Sequence, residues 1–186
     1  MVRKIIIGKN CSGKSTYARK LASESGVVVV ELDKVILSMD DQSLFVRIYS
    51  DAEQGAVDEF IAAIRNEVAG IEDFILEGAV SNPELLAVLS TTLDAKIISL
   101  HPAHQDKHMD RVKKRFLASS PAENNGLPKY FWERFTKEQI DNFYKSGLIT
   151  SDIQKILNSY AAQEVKNSSE RIKKLQKTVE IEVISV

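Results

Sequence analysis

Gly8-Lys9-Asn10-Cys11-Ser12-Gly13-Lys14-Ser15 follows a short β-branched apolar run, residues 2–7, and precedes a segment of helical periodicity, residues 15–25. The octet fits the pattern G-x-x-x-x-G-K-[ST], and its setting decides the fold: a buried strand, a tight glycine-bearing turn, then a helix N-terminus. Successive backbone N–H groups of such a turn form an anion nest. Their partial charges add to those of the helix end, so a triphosphate is wrapped largely by main chain. Gly8 and Gly13 permit that backbone, and Asn10, Cys11 and Ser12 complete the ATP-binding loop. The Lys14 ammonium is placed for the β and γ phosphates, the Ser15 hydroxyl for the magnesium ion that bridges them, and Thr16 for the α phosphate.

Outward from the loop, apolar period and punctuation set the remaining elements. Tyr17, Ala18, Leu21 and Ala22 recur at helical spacing until Gly26, and residues 27–32 read as a second buried strand. Ser50-Asp51-Ala52-Glu53 has the form of a capping box, opening a helix of about five turns whose face is Val57, Phe60, Ile61, Ile64 and Val68. Residues 74–76 and 95–100 are two further strands, with Asn82-Pro83-Glu84 starting a helix between them. Residues 179–185 alternate as a last, half-exposed strand. Helical segments are expected over 106–116, 129–144, 150–166 and 169–177, and the Pro- and Asn-Gly-bearing stretch 117–128 as a mobile loop. Five strands alternating with helices imply an α/β fold, a doubly wound five-stranded parallel sheet in three layers with a helical lid. One domain spans 1–186, with 34–70 as its acceptor-binding helical segment and 102–135 as its lid region.

The chain has 186 residues, 44% hydrophobic and 27% charged, which excludes a disordered or fibrous protein. A formal net charge of -1 supplies no global field for nucleic acid or anionic membrane. A single cysteine forms no internal disulfide, no signal-peptide core precedes Gly8, and no apolar run suits a membrane helix, so a cytoplasmic location is expected.

In such a sheet, ligands lie beyond the carboxyl ends of the strands. Asp33, after the second strand, shares that side with Lys14 and suits a base that accepts a proton from an acceptor hydroxyl; it also suits a helix N-cap for 34–39. Glu31, its period-2 neighbour, is a candidate holder of a metal-bound water. Glu77 follows Phe74-Ile75-Leu76 at the Walker B position and is either a second such holder or an exposed strand-end charge. Arg111 and Arg115, four apart with Lys113 and Lys114 between them, form a lid pattern or a solvated basic face. Were the acceptor a phosphate, Arg47 would be its natural ligand and Asp33 would position a ribose or base. Lys129 and Arg134 are secondary candidates, and Arg171-Ile172-Lys173-Lys174 reads as an ordinary exposed face.

His101, His104 and His108 are spaced for a metal, but Pro102 separates the first from the others, and surface histidines near a lid are the favoured reading. Cys11 is either a thiol made reactive by the helix end or a small residue that fits a tight loop. Tyr130, Phe131, Trp132, Phe135, Phe143 and Tyr144 recur at helical spacing as a core stripe rather than a base-stacking platform.

These residues together resemble the P-loop kinases of the adenylate kinase and shikimate kinase type, specifically over the first 35 residues. Within that group the pattern is most similar to the polynucleotide kinases and zeta-toxin-like kinases, on the segment 1–16, on Asp33, and on Phe74-Ile75-Leu76-Glu77-Gly78 followed by Asn82-Pro83-Glu84. Polynucleotide kinases usually carry Arg-Asp at the second strand, where this chain has Leu32-Asp33. The resemblance implies that Lys14 and Ser15 handle ATP and magnesium, that Asp33 activates an acceptor hydroxyl, and that Arg111 or Arg115 closes from the lid. The expected activity is an ATP- and Mg2+-dependent phosphotransferase acting on a hydroxyl or phosphate of a nucleoside- or nucleotide-type small molecule or a nucleic acid 5′ end. The competing expectations are an ATPase switch that moves a protein partner and a regulatory nucleotide-binding protein.

Overall fold

In the computed structural model, which describes residues 2–39, 43–49, 51–121 and 127–186, the β-branched runs form a parallel five-stranded sheet. β1 (Arg3–Gly8), β2 (Val28–Glu31), β3 (Phe74–Gly78), β4 (Lys96–His101) and β5 (Ile181–Ser185) lie in the order β2-β3-β1-β4-β5. The central strand β1 is paired on both sides, Ile6 opposite Glu77 of β3 and Ile98 of β4. The strand that feeds the glycine turn is thus an interior one, held at the middle of the sheet between β3 and β4.

Period-2 alternation distributes β1 between two cores. Ile5 and Ile7 join Leu32, Phe60, Leu76 and Leu86 on one face, while Ile6 joins Ala18, Ile75, Ile98 and Leu100 on the other. The first face is covered by α2 (Leu32–Ser38), α4 (Gln54–Glu67) and α5 (Pro83–Leu93), and the second by α1 (Lys14–Ser25). A third, aromatic-rich core joins α6 (Gln105–Leu117), α7 (Lys129–Trp132), α8 (Lys137–Ser146) and α9 (Ser151–Leu175); α3 (Leu44–Tyr49) precedes α4. Phe131, Trp132, Phe135 and Phe143 belong to this core, as the stripe reading expects, whereas Tyr130 and Tyr144 are exposed.

Asn82 caps α5 as anticipated, its side chain accepting from the N–H groups of Glu84 at 2.9 Å and Leu85 at 3.1 Å, worth about 1 kcal/mol. Other boundaries differ. Ala52 has φ of 47°, Glu53 gives its carboxylate to Arg47 and takes the N-cap position, and α4 starts only at Gln54; Ser50, the first residue of the expected capping box, lies outside the described residues. Residues 129–144 are not one helix, because Thr136 and Gln139 form a reciprocal capping box that starts α8 afresh. Residues 150–166 and 169–177 are not two helices but the continuous α9, in which Ser168 is buried and Asn167 accepts from Gln163 four residues earlier. Of the expected loop 117–128, residues 122–126 lie outside the described residues, and Leu127 is buried in the aromatic core.

Candidate functional site at the phosphate loop

The loop between β1 and α1 is shaped by its two glycines. A Cβ on Gly8 would overlap Ser12 Oγ and approach the Leu100 carbonyl oxygen to 3.2 Å, so only a hydrogen fits beneath the turn. Gly13 has φ of 89° and Cys11 φ of 60°, and the turn is closed by the Ser12 N–H donating to the Lys9 carbonyl at 3.1 Å. No side chain caps α1 and no acidic residue sits in its first turn. Its free N–H groups and positive dipole end are thus left for an anion.

Around this loop the structure gathers several of the sequence candidates. Ser15 Oγ donates to Glu77 Oε1 at 2.9 Å, and Glu77 is 6% exposed rather than a solvated strand-end charge. Burial lowers the pKa of Lys14, opposed by the carboxylates of Glu77 and Asp33, so the ammonium is held in a field of two anions. Asp33 does not cap α2: the N-cap position is Glu31, and Asp33 lies in the first turn. Its Oδ1 accepts a 2.7 Å hydrogen bond from Tyr49 Oη, and burial together with the Asp33 charge keeps that phenol protonated. Glu31 faces elsewhere, bonding Lys34 at 3.0 Å with Arg19 at 3.9 Å.

Arg111 reaches across from α6, Nη1 donating to the Ser12 carbonyl at 3.2 Å. With Lys14, Ser15, Thr16, Arg19 and Arg115 it lines a cavity of about 460 Å³ over the start of α1. Arg115 also approaches Cys11, whose thiol is nevertheless pushed up in pKa because burial dominates, which corrects the expectation of a thiol activated by the helix end. The Asn10 side chain is engaged with Tyr130. Arg47 lies apart from Lys14 in the hydrogen-bond pattern: Nε and Nη2 both grip Glu53 at 2.8 Å. Lys129 pairs with Glu133 at 3.8 Å, and Arg134 stands over the Tyr160 ring at 5.2 Å.

The histidines scatter. His101 Nδ1 is 3.1 Å from Ser168 Oγ and His104 is exposed, but His108 is fully buried beside Arg111, not at the surface. No group of three or more metal-ligating residues occurs among the described residues.

No protein-family model matches the chain, and no curated protein matches it. Among solved structures it is similar to a shikimate kinase from Bacteroides thetaiotaomicron, with a TM-score of 0.53 and 14% identity over 99% of this chain and 85% of that one. A gluconokinase from Sinorhizobium meliloti 1021 gives 0.49 and 12% identity over 100% and 82%, and an uncharacterized protein from Eubacterium ventriosum 0.46 and 13% over 100% and 88%. The fold is the P-loop NTPase fold. The similarity to the shikimate kinase shows the fold alone and does not confirm the finer resemblance to polynucleotide kinases and zeta-toxin-like kinases. No helix among the described residues is long and apolar enough to cross a membrane.

Reading the sequence missed three residues beside the P-loop. Tyr49, which holds Asp33, is 16 positions away from it, and no local pattern announces the contact. Glu164 is buried 4.0 Å from the loop residue Lys9. Arg171, expected on an exposed face, is 9% exposed and acts electrostatically on Lys14.

Proposed function

We propose that the chain is an ATP- and magnesium-dependent kinase that transfers the γ-phosphate of ATP to a hydroxyl of a small molecule. The observation that carries this reading is Asp33, a carboxylate held by Tyr49 in the field of Lys14. The acceptor oxygen forms a bond to the γ phosphorus, the bond from that phosphorus to the bridging oxygen breaks, ADP leaves, and the acceptor proton passes to Asp33. Lys14 and the free N–H groups of α1 take up charge that develops on the departing β-phosphate, and Arg111 with Arg115 supplies guanidinium charge over the transferred group. Residues 34–70 then carry the acceptor side and residues 102–135 the closing side.

The residues fit a magnesium ion. Glu77 Oε2 is buried with no hydrogen-bond partner while Oε1 orients Ser15, so the pair offers a hydroxyl and an unused carboxylate oxygen on one side of Lys14. Bound there, Mg2+ supplies charge neutralisation for the phosphates. Glu31 has a weaker claim, since its carboxylate already serves Lys34. A phosphate acceptor held by Arg47 is disfavoured for the same kind of reason, the guanidinium fork being closed on Glu53.

The test is transfer of γ-labelled phosphate to a panel of small alcohols, sugars, nucleosides, nucleoside monophosphates and 5′-hydroxyl oligonucleotides, with Lys14→Ala as blank. Label moving to a small-molecule hydroxyl supports the kinase. Release of free phosphate alone, unaffected by any acceptor, supports an ATPase switch instead.

A further inference from the structure

We infer that the acceptor carries an oxyanion, a carboxylate or a phosphate, besides its reacting hydroxyl, and that Arg171 of α9 is the residue that binds it. The inference rests on the kinase reading above and names the substrate class for the same site. Arg171 is nine-tenths buried, yet its Nε and Nη2 have no hydrogen-bond partner. Four other arginines are provided for: Arg47 by Glu53, Arg111 by the Ser12 carbonyl, Arg3 by the Glu72 carbonyl and Arg134 by the Tyr160 ring. Burial brings the Arg171 pKa down to about 10, which leaves it cationic at neutral pH. A buried, charged guanidinium without a hydrogen-bond acceptor is costly to the fold and has a strong demand for one.

What surrounds Arg171 indicates where the missing acceptor belongs. It lines a cavity of about 420 Å³ together with Lys9, Tyr49, Asn82 and Lys174. This cavity is separate from the one lined by Ser15, Thr16 and Arg111, where the phosphates of the donor would lie. Tyr49 ties it to Asp33, so an occupant of this space has its hydroxyl side toward the proposed base. Cations outnumber anions on the wall: Lys9, Arg171 and Lys174 face Glu170 in the lining and Glu164 beneath, and Glu164 sits 4.0 Å from Lys9. Glu164 attracts Arg171 electrostatically but makes no hydrogen bond to it, and its own Oε2 is unpartnered. A neutral polyol would leave the guanidinium unsatisfied, whereas a carboxylate or phosphate group accepts from it in a charge-assisted pair.

Two measurements test the site. First, with the donor site filled by a non-hydrolysable ATP analogue, inorganic phosphate is titrated calorimetrically into the full chain. Saturable binding that weakens at least tenfold in Arg171→Gln, partly recovers in Arg171→Lys, and weakens severalfold in the exposed-site variant Lys174→Gln is expected. No saturable binding in the parent protein, or binding unchanged in all three variants, overturns the inference. A fall in affinity for the ATP analogue itself in Arg171→Gln also overturns it, because the arginine then belongs to the donor. Second, γ-label transfer is compared between hydroxy acids and their amides and between sugar phosphates and the free sugars. Transfer confined to one anionic series, with a loss of at least 100-fold for its neutral counterpart, supports the inference and identifies carboxylate or phosphate. Equal transfer to neutral and anionic members overturns it while the kinase reading stands. No transfer to any member, with Arg171-dependent phosphate binding intact, overturns the kinase reading but not the anion site.

Discussion

Tyr49 Oη lies 2.7 Å from Asp33 Oδ1 and donates to it, so one oxygen of the carboxylate is fixed by α3, an element outside the helix α2 that carries it. The phenol stays a donor because burial and the Asp33 charge both disfavour its ionisation. One carboxylate oxygen is held by Tyr49, and in the proposed reaction the other accepts the proton of the acceptor hydroxyl. Tyr49→Phe is expected to lower kcat about tenfold through loss of this orientation, and Asp33→Asn by about 10²–10⁴-fold. In both variants the Kd for ATP should stay within twofold of the parent. Isothermal titration with ATP and single-turnover label transfer separate the two quantities, and near-normal turnover in Asp33→Asn rules out a general base there.

Gly8 makes a second prediction, about the loop itself. Because its Cβ would collide with Ser12 Oγ under a turn whose N–H groups, in the proposed function, converge on phosphate, Gly8→Ala should abolish nucleotide binding. Gly55, on the outside of α4 with open space around it, is the control: Gly55→Ala should leave binding unchanged and stabilise the protein by up to about 1 kcal/mol. Fluorescent-nucleotide binding and thermal melts of the two variants check both statements.

The aromatic core behind α6 determines how firmly Arg111 and Arg115 are presented. The Phe116 ring is 4.6 Å from Phe143, 5.4 Å from Phe135 and 5.7 Å from Trp132, centroid to centroid, and is almost wholly buried. Phe116→Ala should therefore cost about 3–5 kcal/mol in urea unfolding. Phe116→Leu, which keeps most of the apolar volume, should cost less than half as much. Equal losses in the two variants would show that the cluster does not pack around this ring.

How much of this was legible beforehand depended on whether the signal was local. The apolar runs at 2–7, 74–76 and 95–100, the glycine turn, and Asn82-Pro83-Glu84 each carry their information within a few residues, and the structure has strands over these runs with ends shifted by one or two residues and a helix at Pro83. The pairing of Glu53 with Arg47, six positions earlier, is not signalled by the local pattern at 50–53. The stripe Tyr160, Glu164, Ser168, Arg171 and Leu175 occupies a single face of α9, all of it buried, and is visible only if the helix runs unbroken through 167–168. Dividing that helix loses the phase and leaves Arg171 looking like part of a solvated run with Lys173 and Lys174. The contacts Tyr49 to Asp33 and Ser15 to Glu77 span 16 and 62 positions, and topology alone creates them.

His108 links the site to pH through stability. It is fully buried, and burial first, then the positive charge of Arg111, brings its pKa from 6.5 down to about 4. In the unfolded chain the imidazole takes up a proton near its ordinary value, while in the folded protein it resists until about pH 4. The unfolded state therefore binds more protons between these values, and stability falls as pH drops through that window. The contribution is fully present above about pH 6.5 and its loss, on the order of 3 kcal/mol, is complete below about pH 4. His108→Gln has no proton to take, so the difference in unfolding free energy between the parent and this variant should shift in the variant's favour by that amount from pH 7 to pH 4. Denaturant melts at half-unit pH steps read the shift directly, and parallel pH profiles for the two proteins would exclude His108 as its source.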